Sequence, residues 1–303
     1  MKLCLVTAAA GALLAGCAPS FYEGIPPGGP KDAYYAEVGG AHLRFVDEGQ
    51  GPAVVLLHGF ASALDTWRGV MDELKKDHRV IALDLKGFGW SSRPAGDYSP
   101  QAEAQLVLAL MDQRNVTSAA VVAHSWGSSV ALAMAIAAPE RVTRLALYDA
   151  WVYEEQLPTT FLWARASVVG EALFDLFYSE RADEKMARAF YDPKRYVTEK
   201  FVENVERALD RPGTTAAALA AVRGQRFEEI QTKYHDLKQP VLLLWGREDE
   251  VTLLTYGERL ARDLPHTKLV VYPHCGHFPM IEAKGPSTDE LQRFLDEGKE
   301  KGP

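Results

Sequence analysis

Ser125, at the centre of the stretch V-V-A-H-S-W-G-S-S, is the residue whose position most strongly suggests chemistry. An apolar run over 119–123 ends just before it, and a helical pattern follows at once, which predicts a sharp strand-to-helix turn. Such a turn strains the serine backbone and projects its hydroxyl from the sheet. The residues two positions away must then be small, and they are Ala123 and Gly127. Ser125 is therefore predicted to be a nucleophile; the alternative is an ordinary helix-capping serine.

A serine hydroxyl is a poor nucleophile without a base, and the base needs a carboxylate to orient it. Two later loops carry such groups. Asp249 lies in G-R-E-D-E-V and His277 lies in P-H-C-G-H-F-P, and each loop follows an apolar run typical of a buried strand. Both are therefore candidates to act with Ser125.

These stretches resemble the α/β-hydrolase family, in which a G-x-S-x-G turn, a G-x-x-D loop and a G-H-x-P loop occur in this order. Ala123 stands where the first glycine of the serine motif is usual. The resemblance implies that Ser125 is the nucleophile, His277 the general base and Asp249 its orienting acid. Asp149 is the reserve acid, because some members of the family carry the acid at the end of the preceding strand.

The resemblance also implies an oxyanion hole made of two backbone N–H groups. One belongs to Phe60, after the pair His58-Gly59, and the other to Trp126, directly after Ser125. Donors fixed where negative charge develops commonly lower a reaction barrier by about 3 kcal/mol each. We assign the His58 side chain to the structure of the turn.

No metal, cofactor or nucleic acid is expected. His274, Cys275 and His277 lie close together, but their spacing is not a standard zinc pattern and no second pair of ligands is evident. Chemistry on a serine triad needs no cofactor. The net charge of −8 carries no basic cluster that would attract a phosphate backbone.

The elements around these residues predict an α/β fold. Apolar strand patterns alternate with helical patterns up to residue 150 and again from Pro240, which indicates a mainly parallel sheet with flanking helices. Residues 34–150 and 237–303 would form this α/β-hydrolase core. Each candidate residue follows a predicted strand, and functional groups gather at the carboxyl ends of parallel strands.

Residues 151–236 break the alternation with helical stretches, one of them over 161–177, and contain no convincing buried strand. They resemble the helical cap that many α/β-hydrolases insert into the core. The aromatic residues early in this cap suggest an apolar pocket wall. The predicted pocket residues are His124 beside the nucleophile and four aromatic residues of the cap, Trp151, Tyr153, Phe161 and Trp163.

The N-terminal sequence is typical of an export and membrane-anchoring signal. A lysine and a short apolar segment are followed by L-A-G-C, ending at Cys17, and this resembles a bacterial lipobox. The resemblance implies removal of residues 1–16 as a lipoprotein signal peptide, and acylation of Cys17. Residues 17–33, rich in proline and glycine, are predicted to be a flexible tether that spans roughly 20–25 Å. The expected location is membrane-anchored, at the outer membrane or on the cell-surface or periplasmic face.

The predicted function is hydrolysis of carboxylic esters, with a small hydrophobic ester as substrate and an acyl-enzyme as intermediate. One alternative is a hydrolase of C–C bonds of the meta-cleavage-product type, acting with the same triad. A second alternative is a surface binding protein that keeps the fold without the chemistry. The sequence leaves the acyl length and the oligomeric state open.

Overall fold

The computed structural model describes residues 19–178 and 181–297. Within them, eight strands form one sheet in the order β1-β2-β4-β3-β5-β6-β7-β8. Strand β2 is antiparallel to β1 and β4, and the other neighbouring pairs are parallel, which confirms the predicted sheet. The strands are Tyr34–Val38 (β1), Ala41–Glu48 (β2), Ala53–Leu57 (β3), Arg79–Leu83 (β4), Ala119–His124 (β5), Val142–Tyr148 (β6), Val241–Gly246 (β7) and Thr267–Tyr272 (β8).

Helices cover both faces of the sheet. Those of the core are Arg68–Leu74 (α1), Pro100–Gln113 (α2), Trp126–Ala137 (α3), Leu254–Asp263 (α11), Pro279–Glu282 (α12) and Lys284–Asp296 (α13), with short 3₁₀ turns at Leu64–Trp67, Pro139–Arg141, Glu154–Gln156 and Tyr234–Asp236. Alternate residues of β3 enter two separate cores, because successive side chains of a strand point to opposite faces. Val55 and Leu57 pack with α2, α3 and α11, whereas Val54 and Leu56 pack with α1 and α13.

The helical insertion lies between β6 and β7. Its helices are Thr159–Ala164 (α4), Val169–Phe177 (α5), Ala182–Ala189 (α6), Pro193–Tyr196 (α7), Glu199–Leu209 (α8), Thr214–Gly224 (α9) and Glu228–Gln231 (α10). The helix predicted over 161–177 is wrong, since the chain turns between α4 and α5 at Val168, whose φ is 70°. A Cβ on Gly170 would lie 2.2 Å from the Ala164 carbonyl oxygen, so this corner requires a close backbone approach that helical periodicity does not reveal.

The described part of the predicted tether, 19–33, lies against the core. Tyr22 pairs with Arg93 in a short antiparallel bridge, with N–H···O distances of 2.9 and 2.8 Å, and the Phe21 ring stacks on Tyr98. Pro26 is buried. The segment therefore differs from a free spacer, because main-chain pairing and aromatic contacts hold it; its proline and glycine content did not indicate these partners.

The signal peptide predicted over 1–16, Cys17, and the last residues of the core, 298–303, lie outside the described residues. Among the helices of the described residues, none is both long and apolar enough to cross a bilayer.

Candidate active site

Ser125 occupies the strained turn that the sequence predicted. It joins β5 to α3 with φ 50° and ψ −125°, and its side chain makes no capping hydrogen bond to the helix. A Cβ on Gly127 would lie 2.4 Å from the His58 carbonyl oxygen, so strand and helix pass too closely for a larger residue there. Both observations argue against an ordinary capping serine.

His277 and Asp249 form the hydrogen-bonded pair that a triad requires. The Nδ1 atom of His277 donates to Asp249 Oδ2 at 2.8 Å, and both side chains are buried. The donor must be Nδ1 because the carboxylate can only accept. Nε2 is therefore the nitrogen left to accept a proton from a nucleophile.

Thr252 completes the Asp249 loop, and sequence reasoning missed it. Its hydroxyl donates to Asp249 Oδ2 at 2.5 Å, while the backbone N–H groups of Val251 and Thr252 donate to Oδ1 at 2.7 and 3.0 Å. Burial favours a higher pKa for Asp249, but the charge and hydrogen bond of His277, with the Thr252 hydrogen bond, hold the pKa below its ordinary value. Asp249 is therefore a carboxylate. An aspartate followed by a hydroxyl residue three positions later was the available turn signal.

Asp149, the predicted reserve acid, lies in the same cluster. Its Oδ1 atom accepts a hydrogen bond from the Gly246 N–H at 2.9 Å, and a carboxylate oxygen lies within 4.8 Å of one on Asp249. Burial, and then the negative charge of Asp249, raise the pKa of Asp149 well above its ordinary value. The opposite shifts favour the neutral form of Asp149 and the charged form of Asp249.

His124 links the loop that carries His277 to the strand that precedes Ser125. Its Nε2 atom donates to the His277 carbonyl oxygen at 2.7 Å, and the two rings lie 4.6 Å apart. Burial, and then the neighbouring His277, lower the pKa of His124 well below its ordinary value, so the ring is neutral. Its buried Nδ1 atom makes no hydrogen bond in the described residues.

The Ser125 hydroxyl makes no hydrogen bond to His277 or to any other described residue, although both residues lie at the same edge of the sheet and contact His124. Ser125 is 6% exposed and His277 5% exposed, so the site is nearly closed to solvent. In unliganded enzymes such catalytic hydrogen bonds are often long and tighten only when substrate binds.

The turn that carries Phe60 approaches the nucleophile closely. A Cβ on Gly59 would lie 3.0 Å from the Ser125 Cβ. Among the described residues, the backbone N–H groups of Phe60 and Trp126 donate no hydrogen bond, so both are available to an oxyanion. His58 has the structural role predicted for it, with Nδ1 donating to the Gly59 oxygen at 2.7 Å and Nε2 accepting from the Leu85 N–H at 2.9 Å.

Two of the four aromatic cap residues lie near the site. The Phe161 ring contacts the Phe60 ring at 5.8 Å and the Trp151 ring at 6.3 Å. The backbone N–H of Trp151 donates to the backbone carbonyl oxygen of Ser125 at 3.1 Å. These contacts place Phe161 and Trp151 beside the nucleophile and the predicted oxyanion hole.

Tyr153 and Trp163 differ from their predicted place in a pocket wall. Tyr153 is fully buried, its hydroxyl donates to Asp263 at 2.5 Å, and it fills the packing between insertion and core. Trp163 is 57% exposed on the outside of the insertion. Aromatic content indicated apolar burial, but the face of the helix that each residue occupies depends on the corner between α4 and α5.

The donor set Asp149, Asp249 and His277 has atoms within 4.8 Å of one another, which is close enough to be considered for a metal ion. Within this set, Asp249 and His277 are hydrogen-bonded to each other at 2.8 Å, and the raised pKa of Asp149 favours its neutral form. His274 is exposed and its ring bonds to the Tyr191 hydroxyl, away from the buried Cys275.

The order of the strands and the turn at Ser125 define the class of protein as an α/β hydrolase. The family model described as the alpha/beta hydrolase fold matches residues 52–284, and the chain belongs to this family. Within the family, the chain is similar to enzymes of more than one activity.

One such relative is a 2-hydroxymuconate semialdehyde hydrolase of Pseudomonas sp. strain CF600, 29% identical over 90% of this chain and 96% of the relative. Another is a pimeloyl-[acyl-carrier protein] methyl ester esterase of Nitrosomonas europaea, 27% identical over 80% of this chain and 94% of the relative. A solved thermophilic esterase of Thermogutta terrifontis superposes with a TM-score of 0.76 at 25% identity, covering 88% of this chain and 98% of the other.

Proposed function

We propose that this protein is a serine hydrolase that cleaves carboxylic esters through an acyl-enzyme. The observation that carries the proposal is the His277–Asp249 hydrogen bond of 2.8 Å at the sheet edge where Ser125 sits on a strained, uncapped turn. The esterases among its relatives support an ester as the substrate.

In the proposed reaction, Ser125 Oγ attacks the ester carbonyl carbon while His277 Nε2 takes its proton. The electron pair of the carbonyl moves to its oxygen, which accepts hydrogen bonds from the N–H groups of Phe60 and Trp126. Collapse breaks the C–O bond, His277 protonates the leaving alcohol, and the acyl group stays on Ser125. Water that His277 deprotonates then attacks the acyl carbon, the bond from that carbon to Ser125 Oγ breaks, and His277 returns the proton to Oγ as the acid leaves. Asp249 stabilises the imidazolium in both steps.

A small hydrophobic ester is the proposed substrate. The rings of Phe60, Phe161 and Trp151 form a contacting row beside Ser125 and offer apolar contacts to an acyl or alcohol group. Ser125 is only 6% exposed, so an apolar substrate that displaces the remaining water would suit this site.

Labelling with a fluorophosphonate probe, combined with a panel of p-nitrophenyl esters of graded acyl length, tests the enzyme. Wild type should be labelled and should hydrolyse the short esters, and Ser125→Ala should abolish both. Ser128→Ala is the matched control, because its buried hydroxyl, on the same helix, has no hydrogen-bond partner in the described part of the chain. It should leave both readouts unchanged. Absence of labelling in folded wild type would favour the binding-protein alternative.

The second candidate is cleavage of a C–C bond with the same triad. The similarity to a 2-hydroxymuconate semialdehyde hydrolase over 90% of this chain favours it. Turnover of a vinylogous 1,5-diketone dienol, measured beside the ester panel, separates the two activities. A kcat/KM for the diketone far above that for every ester would overturn the ester proposal while keeping Ser125 as the essential residue.

We further propose that the protein is exported and anchored through acylated Cys17. The L-A-G-C sequence before the folded domain supports this proposal. In a bacterial host, Cys17→Ser should abolish incorporation of labelled palmitate and release the protein from membranes. Cys4→Ser, in the predicted signal peptide, should change neither result. Membrane association that persists in unacylated Cys17→Ser protein would contradict the anchor.

A further inference from the structure

The corner between α4 and α5 carries a patch of exposed apolar side chains. The described residues include ten large hydrophobic side chains classed as exposed, and five of them fall within the short stretch 162–176. These five, between 42% and 59% exposed, are Leu162, Trp163, Val168, Val169 and Leu176, and we call them the corner patch. Exposed apolar patches of this kind mark interaction surfaces more often than scattered single residues do.

The inner side of the same corner is well packed without the patch. Ala164 and Phe174 are buried in a small core with Leu219 and Val222 of α9. Glu171 of α5 pairs with Arg223 of α9 through two hydrogen bonds of 2.9 Å. The outward side chains are therefore not needed to hold the corner, and their exposure requires another explanation.

The N-terminal chain enters the described fold beside this corner. Pro19 and Phe21 line the same surface groove, about 970 Å³ in volume, as Glu171 of α5. The bridge between Tyr22 and Arg93 fixes the chain there. Cys17 precedes Pro19 by two residues, which span at most about 7 Å. A helix is about 10 Å across with its side chains, which puts Val169 and Leu176 of α5 roughly one helix diameter from the groove at Glu171.

The charges near the patch favour an apolar rather than an anionic partner. Asp175 is exposed on α5, and Glu171 is paired with Arg223. Arg165, the basic residue of the corner, is held by Glu154 at 2.5 Å and by the Gln225 carbonyl oxygen. An exposed tryptophan among aliphatic side chains is suited to the boundary between headgroups and acyl chains.

We propose that the corner patch docks on the bilayer that holds the lipidated N-terminus, with Trp163 at the acyl-chain boundary. This inference rests on the proposed acylation of Cys17. Because residues 21–26 are held against the core, the anchor would keep the domain at the membrane surface with its cap against the bilayer, rather than suspend it about 20 Å away.

Tryptophan quenching by brominated lipid tests the docking. The acylated mature protein, which would begin at Cys17, is reconstituted in phosphatidylcholine vesicles with or without dibrominated acyl chains, and mass spectrometry of the N-terminal peptide verifies acylation. Trp67, Trp126, Trp151 and Trp245 are at most 8% exposed, so Trp163 should dominate the quenching. Trp163→Phe should remove most of it, whereas Trp90→Phe, a half-buried control, should retain it.

A second variant tests the patch without changing a tryptophan. Val169→Ser with Leu176→Ser should lower quenching of Trp163 and should raise its accessibility to iodide at least severalfold. Acylated protein that shows no bromolipid quenching overturns docking while the anchor stands; in that case a sedimenting dimer would identify a second copy as the partner. Absence of acylation would overturn both proposals, and the esterase assays would still report on Ser125.

Discussion

At the residue scale, Asp149 and Asp249 show one chemical group in two protonation states. Asp249 accepts hydrogen bonds from His277 and Thr252, which lower its pKa and favour its ionised form. The pKa of Asp149 is raised by burial and by the negative charge of Asp249. Two adjacent buried carboxyl groups cannot both ionise readily, so the charge is expected on Asp249, which is hydrogen-bonded to the histidine. Asp149 is thereby a support for the acid rather than a competitor.

The two aspartates should respond differently to replacement by asparagine. Asp249→Asn should lower kcat by about 10³–10⁴-fold, because the amide imposes the wrong tautomer on His277. Asp149→Asn should lower kcat by less than tenfold, because the amide resembles the neutral acid and can still accept the hydrogen bond from the Gly246 backbone N–H. Steady-state kinetics on the most active ester of the panel measure both.

The pH dependence of esterase activity tests whether Asp149 acts in its neutral form. A raised carboxyl pKa means that Asp149 keeps its proton to a higher pH than an ordinary aspartate and loses it as pH rises through that pKa. Wild type should therefore lose activity at high pH in a step that Asp149→Asn lacks. A large loss of activity in Asp149→Asn at neutral pH would show instead that an ionised Asp149 acts as the orienting acid.

The candidate residues could be predicted because each lies in a short local motif at a strand end. The small residues on either side were enough to predict Ser125. The loop sequences and their order along the chain were enough to predict His277 and Asp249. The contact of Thr252 with Asp249 had a local turn signal, which was missed, because the two residues are three positions apart in one loop. The raised pKa of Asp149 could not be predicted, since it depends on distances between separate loops. The orientation of Trp163 was missed for a related reason: helical periodicity does not show where a helix breaks.

At the element scale, the strand–turn–helix unit around Ser125 depends on close packing. Gly127→Ala should lower the free energy of unfolding by about 2–4 kcal/mol, because the new Cβ would lie 2.4 Å from the backbone oxygen of His58. Gly285→Ala, in α13, is the matched control: its Cβ meets nothing within 4 Å and should stabilise by about 0.5–1 kcal/mol. Urea unfolding measures both, and equal effects would refute the steric argument.

Helix α2 buries an acid that should make stability depend on pH. Glu103 is fully buried, and its Oε2 atom accepts a hydrogen bond from the backbone N–H of Lys86 at 3.2 Å. Burial raises the pKa of Glu103 to about 8, although the positive charge of Lys86 acts to lower it. Between about pH 4.5 and 8 the unfolded chain gives up this proton while the folded chain keeps it. Stability should therefore fall as pH rises, by on the order of 5 kcal/mol over the window.

Glu103→Gln isolates this contribution, because glutamine keeps an acceptor for Lys86 but does not titrate. The difference in unfolding free energy between about pH 5 and pH 8 should shrink in the variant, as measured by urea titration at each pH. An unchanged difference would place the proton on another group and leave Glu103 ionised against Lys86.

At the scale of the whole molecule, Arg93 joins three parts of the chain. Its backbone pairs with Tyr22 of the N-terminal segment, and its guanidinium donates to the Ser91 and Gly89 carbonyl oxygens of the core, each at 2.8 Å. The same group donates to Thr214 of the insertion at 3.0 Å. Burial, and then the nearby Arg211, lower its pKa to about 10, so it remains charged at neutral pH.

Arg93→Met should therefore loosen the insertion and the N-terminal segment together. Methionine fills similar space but removes the donor to the Ser91 carbonyl oxygen and the link to Thr214, while Arg211 still donates to the Gly89 oxygen at 2.8 Å. The change should lower the free energy of unfolding by about 1–3 kcal/mol. Limited proteolysis should cut residues 19–33 and the start of α9 sooner than in wild type. Arg68→Met, at an exposed arginine paired with Asp65, is the control and should change stability by less than about 1 kcal/mol. Faster cleavage in only one of the two segments would show that Arg93 supports them separately, not as a shared junction.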